Sequence, residues 1–148
     1  MCKLAVYHGG ETGECIEKEK EIDVYQLAYS CKKGGTKVVG PEGRELTWFD
    51  IIKLYSKDEP RAWIMFSVYY DLKERGRVVK RGPHKEGFTL YRGDKPVANV
   101  FVLEETVQFK ISKIIEWLDY SRRQQRDLII AIVDKHGDTS YYMLESFD

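Results

Sequence analysis

A strand tyrosine, three scattered imidazoles and a dense run of cations are the groups in this 148-residue chain that could act on a phosphate ester. Between Asp71 and Lys95 stand eight basic side chains, Lys73, Arg75, Arg77, Lys80, Arg81, Lys85, Arg92 and Lys95, against four acids, Asp71, Glu74, Glu86 and Asp94. Such a local excess can neutralise phosphates, and it makes binding sensitive to salt. Arg122, Arg123 and Arg126 could extend the same surface. A solvated charged face is the alternative, and the sequence leaves both open. The imidazoles are dispersed: His8 precedes Gly9-Gly10, His84 sits in the Gly82–Gly87 turn, and His136 lies at the tip of a hairpin. His84 reads as a solvated loop histidine. Tyr91 on its own reads as a strand aromatic with a solvated hydroxyl.

Composition narrows the setting. With 24 basic and 24 acidic residues the formal charge is zero, so any nucleic-acid role must rest on a local patch. Hydrophobic residues make up 43%, enough for a packed core and too many for wholesale disorder. No apolar run approaches the roughly 20 residues that span a bilayer, and the first residues lack a signal-peptide pattern, so the expected location is the cytoplasm. The three cysteines, Cys2, Cys15 and Cys31, have no CxxC spacing, so a zinc site is not expected; no other metal and no cofactor is expected either. They read as free thiols, with a Cys15–Cys31 bridge expected only in a hyperthermophile.

The elements that must position these groups follow from periodicity. Lys3–Tyr7 reads as a strand, and Glu11–Glu21 gives no clear signal. Asp23–Ser30 has helical spacing at Val24, Leu27 and Ala28, and Lys37–Val39 is a short strand. Thr47 opens a helix, with Asp50 three residues on suited to its positive end. The break Ser56–Pro60 predicts a domain boundary, giving residues 1–58 and 59–148. Trp63, Phe66 and Tyr70 mark the next helix, which Gly76 stops. Strands are predicted at Arg77–Lys80, Gly87–Tyr91 and Val97–Leu103, then a helix with Ile111, Ile114, Ile115 and Leu118 as its apolar stripe. Leu128–Val133 is apolar throughout and reads as a strand buried on both faces, and Thr139–Leu144 is the last strand. The fold class is α/β to α+β: a small N-terminal α/β domain, then a mixed-sheet sandwich with flanking helices.

Three stretches carry a family resemblance. Tyr70-Asp71-Leu72-Lys73-Glu74-Arg75-Gly76-Arg77-Val78-Val79-Lys80 resembles the opening of the C-terminal domain of archaeal tRNA intron endonucleases. Gly87-Phe88-Thr89-Leu90-Tyr91 is similar to their aromatic strand ending in a catalytic tyrosine. Leu128–Asp134, with Gly137-Asp138 and Tyr141-Tyr142, resembles their closing hairpin. The likeness covers roughly Trp63 to Leu144.

The resemblance implies metal-independent cleavage of precursor tRNA at bulge–helix–bulge junctions by a tyrosine, a histidine and a lysine. Here Tyr91 stands at the tyrosine position. The segment where the histidine is expected reads Asp94-Lys95-Pro96-Val97-Ala98-Asn99. The lysine position holds Arg126, which keeps the charge but not the ammonium geometry. The remnants are therefore Tyr91 and Arg126, and no complete catalytic set is expected in this chain. The family pattern implies instead a structural subunit, two copies joining two catalytic subunits. Asp134 and Asp138 are the expected docking loop, and Tyr141 and Met143 an apolar seam on a strand that pairs with a neighbour. Precursor tRNA is the second expected partner, contacted through Lys80, Arg81, Lys85, Arg92, Arg122 and Arg123. A free-standing RNA-binding module is the alternative. A metal-dependent nuclease is disfavoured by the lack of an Asp/Glu-x-Lys cluster.

Overall fold

The structure, a computed structural model, describes residues 2–106, 108 and 110–144. The chain divides into two compact units, Met1–Phe66 and Ser67–Asp148. Each holds a five-stranded mixed sheet with helices, an α+β architecture. Among the described residues no helix is long and apolar enough to cross a membrane.

The first unit contains β1 (Leu4–Val6), β2 (Thr12–Cys15), β3 (Lys20–Asp23), α1 (Val24–Lys32), β4 (Lys37–Val39), β5 (Glu45–Leu46) and α2 (Trp48–Ser56). Its strand order is β3-β2-β1-β4-β5, with β1 and β4 parallel. The charged stretch that gives no sequence signal supplies β2 and β3. In β2 the buried positions are Gly13 and Cys15, so the alternation exists without bulky apolar residues to reveal it. Asp23 caps α1 by accepting from the Tyr25 amide at 2.9 Å. Thr47 and Asp50 form a reciprocal capping box on α2, satisfying two otherwise orphaned amides. Tyr25, Tyr55, Trp48 and Phe66 pack ring on ring in the interior, with centroids 5.7 to 6.3 Å apart.

The cysteine expectation is corrected. Cys15 bonds to Cys2, with Cα atoms 5.9 Å apart, and Cys31 is the free thiol. Pairing of Ala5 with Cys15 brings the start of the chain alongside β2, and Glu17 holds it there by accepting from the Lys3 and Leu4 amides. Cys31 instead faces the Leu46 carbonyl from α1, and burial raises its thiol pKa.

The chain passes into the second unit within α3 (Ala62–Glu74). Pro60 lies just ahead of this helix. At its end Gly76 is left-handed (φ 80°); its amide bonds to the Lys73 carbonyl, and the Arg77 amide to the Leu72 carbonyl. That paired closure favours glycine. Then follow β6 (Val78–Arg81), β7 (Gly87–Arg92), β8 (Lys95–Glu104), α4 (Ile111–Arg123), β9 (Asp127–Val133) and β10 (Thr139–Leu144). The order is β10-β9-β8-β7-β6, antiparallel throughout except for the β8/β9 pair that α4 connects. Gly87 is required by close approach, since a Cβ there would sit 2.2 Å from the Val100 carbonyl oxygen.

One face of this sheet is covered by α4 around Phe101, Trp117, Leu128 and Ile130, with the Phe101 and Trp117 rings stacked at 4.5 Å. The stripe expected on α4 is displaced. Ile111 and Ile115 are 74% and 60% exposed, while Trp117 and Ser121 are buried and Ile114 and Leu118 partly so. Positions 114, 117, 118 and 121 form one face of a helix, and the large indole aligns that face with the sheet.

Candidate nucleic-acid face

Alternation along β7 assigns its side chains to two faces. Phe88 and Leu90 are buried on one side, and Thr89 and Tyr91 belong to the other. Tyr91 lies directly opposite Val78 of β6 and Pro96 of β8. The Lys80 ammonium sits over its ring, 4.9 Å from the centroid.

Across from Thr89 on β8 stands Asn99, 3% exposed. Its amide nitrogen donates to Ser121 Oγ at 3.0 Å and to Gln124 Oε1 at 2.8 Å. Its carbonyl oxygen accepts from Arg126 Nη1 at 3.2 Å, and Gln124 Oε1 accepts from the same nitrogen at 3.5 Å. The end of α4 builds this geometry. Gln125 adopts a left-handed conformation (φ 57°), and the amides of Gln125 and Arg126 bond back to the carbonyls of Arg122 and Ser121. The chain thus turns sharply and delivers Arg126 against the sheet.

Tyr91 shares a face of β7 with Thr89, whose partner across β8 is Asn99, and Arg126 joins that face through its bond to Asn99. The segment where an imidazole is expected therefore presents a buried amide, and Arg126 is occupied with that amide rather than free. Sequence reasoning missed Asn99, Ser121 and Gln124. A lone asparagine in the apolar run Val97–Leu103, and a serine and glutamine at the end of an amphipathic helix, were the signals available.

The two histidines of this unit are elsewhere. His84 is half-buried rather than solvated, its ring packed on Phe101 at 4.8 Å and on Tyr120 at 5.7 Å. Its Nδ1 accepts from the Glu86 amide at 3.1 Å, and burial lowers its pKa. Phe101 pairs with Gly87, four residues back along β7 from Tyr91, or roughly 13 Å at the rise of a strand. His136 follows β9 in the turn beyond Val133, and Val133 pairs with Glu104 at the far end of β8 from Lys95. Neither imidazole of this unit reaches the Tyr91 hydroxyl.

Among the basic residues, Lys80, Lys85, Arg92 and Arg122 are exposed. Arg81 is half-buried with Nε and one terminal nitrogen enclosed. Arg123 is exposed but paired with Asp119 one helical turn earlier. In the β9–β10 turn, the Asp134 carboxylate accepts from the His136 and Asp138 amides at 2.8 and 2.9 Å, so it braces its own turn, while Asp138 is exposed. Tyr141 donates to Asp71 at 2.6 Å and lies under the Arg75 guanidinium. Burial, then that hydrogen bond, pushes its hydroxyl far above the ordinary phenol range. Met143 is 58% exposed. Among the described residues, no three His, Cys, Asp or Glu side chains group as metal ligands.

Comparison with known proteins agrees with this architecture. The family described as tRNA intron endonuclease, catalytic C-terminal domain, matches residues 62–141. A tRNA-splicing endonuclease of Pyrococcus furiosus is 29% identical over 139 residues, covering 90% of this chain and 79% of its own length. That of Pyrococcus horikoshii is 29% identical over 146 residues, covering 95% and 84%. A longer tRNA-splicing endonuclease, from Methanosarcina acetivorans, is 27% identical over 147 residues, 95% of this chain but 41% of its own length. The chain belongs to the tRNA intron endonuclease family.

Proposed function

We propose that this chain is the structural subunit of a tRNA-splicing endonuclease, two copies combining with two catalytic subunits to cut precursor tRNA at bulge–helix–bulge junctions. The observation that carries the reading is the Asn99–Ser121–Gln124–Arg126 network beside Tyr91, together with the distance of every imidazole in that unit from the tyrosine. Cleavage to a 2′,3′-cyclic phosphate and a 5′-hydroxyl requires a base for the ribose 2′-hydroxyl proton. It also needs an acid for the leaving 5′-oxygen and a cation for the charge that develops on the phosphate. An amide in place of an imidazole cannot exchange that proton at neutral pH, which forfeits roughly 10²–10⁴-fold. A guanidinium already shared between two amide oxygens is a poorer charge stabiliser, a role worth roughly 10²–10³-fold when intact. The chemistry then falls to the partner chain.

The open edge supports association. β10 ends the sheet, and its sequence Thr-Ser-Tyr-Tyr-Met-Leu carries no charge or proline to discourage pairing. The purified chain is expected to leave a bulge–helix–bulge RNA intact, with or without chelator. Addition of its catalytic partner should give cleavage that chelator does not suppress. Cleavage by the chain alone would overturn this reading.

A free-standing RNA-binding module of the same fold has one observation in its favour. Asp134 and Tyr141, two of the expected interface groups, are spent on internal hydrogen bonds. Light scattering after size exclusion, with the partner present, separates the two: a chain that stays monomeric and still binds structured RNA is the module.

A further inference from the structure

We propose that the row Val78–Tyr91–Pro96, with Lys80 over the tyrosine ring, is a stacking platform for one unpaired nucleobase, resting on the reading that RNA is a partner of this chain. Tyr91 pairs with Val78 on β6 and, just past a register shift between Leu90 and Tyr91, with Pro96 on β8. Val78 is 49% exposed and Tyr91 and Pro96 are half-buried, so the row is a shallow apolar strip open to solvent. Among the described residues the Tyr91 ring has no ring–ring contact and its hydroxyl no hydrogen bond; the Lys80 ammonium lies over the ring.

The polar groups beside it are taken. Thr89 donates to the Gly82 carbonyl, and Asn99 and Arg126 hold each other. The phenol therefore lacks a group to relay its proton, whereas its ring is available. Charge identifies the occupant. Lys80, Arg92 and Lys95 are exposed at this end of the sheet, Arg92 and Lys95 paired in register across the turn, and Asp94 is the acid in that turn. A flat apolar strip rimmed by cations matches a base face and the phosphates on either side of it. A fully paired helix keeps its bases stacked inside, so the ligand is a bulged or single-stranded nucleotide.

Affinity of the full chain is measured for two RNAs of equal length at one salt concentration. One carries a bulge–helix–bulge and the other is fully paired. Tyr91→Ala should weaken the bulged RNA about 5- to 150-fold, the range of a lost base–aromatic stack, and leave the paired RNA unchanged. Tyr91→Phe should restore the bulged affinity, because stacking needs the ring and not the hydroxyl. Lys80→Ala should weaken both RNAs and reduce the salt slope by about one phosphate. A thermal melt of each variant at the wild-type midpoint certifies the fold. Tyr91→Trp, which keeps a platform, should bind at least as well as wild type.

The proposal is overturned if Tyr91→Ala binds as wild type, if it weakens both RNAs equally, or if Tyr91→Phe loses as much as Tyr91→Ala. It is equally overturned if Tyr91→Ala spares RNA and breaks association with the catalytic partner, since the strip would then face protein. None of these results touches the mixing experiment above, so failure here and failure of the subunit reading are distinguishable.

Discussion

The two units build the same kind of sheet and finish it differently. Each has five strands around one parallel pair. In the first unit the strands are short, and both edges are blunted: β3 reads Lys-Glu-Ile-Asp, and β5 has two residues. A disulfide fastens its start. In the second unit β6 carries Lys80 and Arg81, but β10 presents six uncharged residues, with Tyr142 and Met143 54% and 58% exposed. Of four edges, three discourage a neighbour and one does not. The contrast leaves one edge, β10 of the second sheet, without a feature that discourages pairing.

The largest test strikes the unprotected edge. Met143→Lys places a charge there, and with the proposed catalytic partner titrated against it, association should weaken about tenfold or more, some 1.4 kcal/mol. Because Met143 is exposed, its own unit should change stability by no more than about 0.5 kcal/mol. Unchanged association would break the comparison. In the other unit, Cys15→Ser removes a cross-link between residues 13 apart and should cost about 3 kcal/mol. Hydrogen exchange should report the loss in β1–β3 and leave β7–β9 protected as before. Thr47→Ala removes half of the α2 capping box and should cost about 1 kcal/mol, read as a lowered melting midpoint.

Acid separates the units by a smaller margin. Burial depresses the His84 pKa, so the neutral ring stabilises the second unit fully above the unfolded value of about 6.5, and that contribution fades as pH falls through the folded value. The Glu86 amide donating to Nδ1 favours the same neutral form. In the first unit the depressed group is Asp50, held down chiefly by the Thr47 amide, so its contribution is lost only below the carboxylate range. Melts followed from pH 7.5 to pH 5 should therefore soften the second unit first, and His84→Phe should flatten that slope.

How much of this was legible in residue order depends on where the signal was apolar. Leu128–Val133 and Gly87–Tyr91 announce strands through bulk, and Thr47 with Asp50 announces a cap through chemistry; the structure has all three. Gly13 and Cys15 hide the inward face of β2, because neither residue type marks burial by size. Ile111 and Ile115 mislead in the opposite sense: aliphatic spacing suggests a stripe, and one large indole outweighs it. The tyrosine and arginine remnants were readable from resemblance. The bonds that Asn99 and Gln124 make around Arg126 were not, since they depend on contacts between residues 25 apart. The Cys2 partner was hidden for a related reason, because only the β1–β2 register brings it near Cys15.

The parallel β8/β9 pair has a kinetic corollary. β6, β7 and β8 can zip as successive hairpins, and β9 with β10 likewise, but the seam between the two pieces must wait for α4 to condense and dock. Trp117 stacks on Phe101 at that moment, so the indole reports the slow joining of two fast-forming halves, and pulse-labelled amides of β8 and β9 should gain protection after those of β6 and β7.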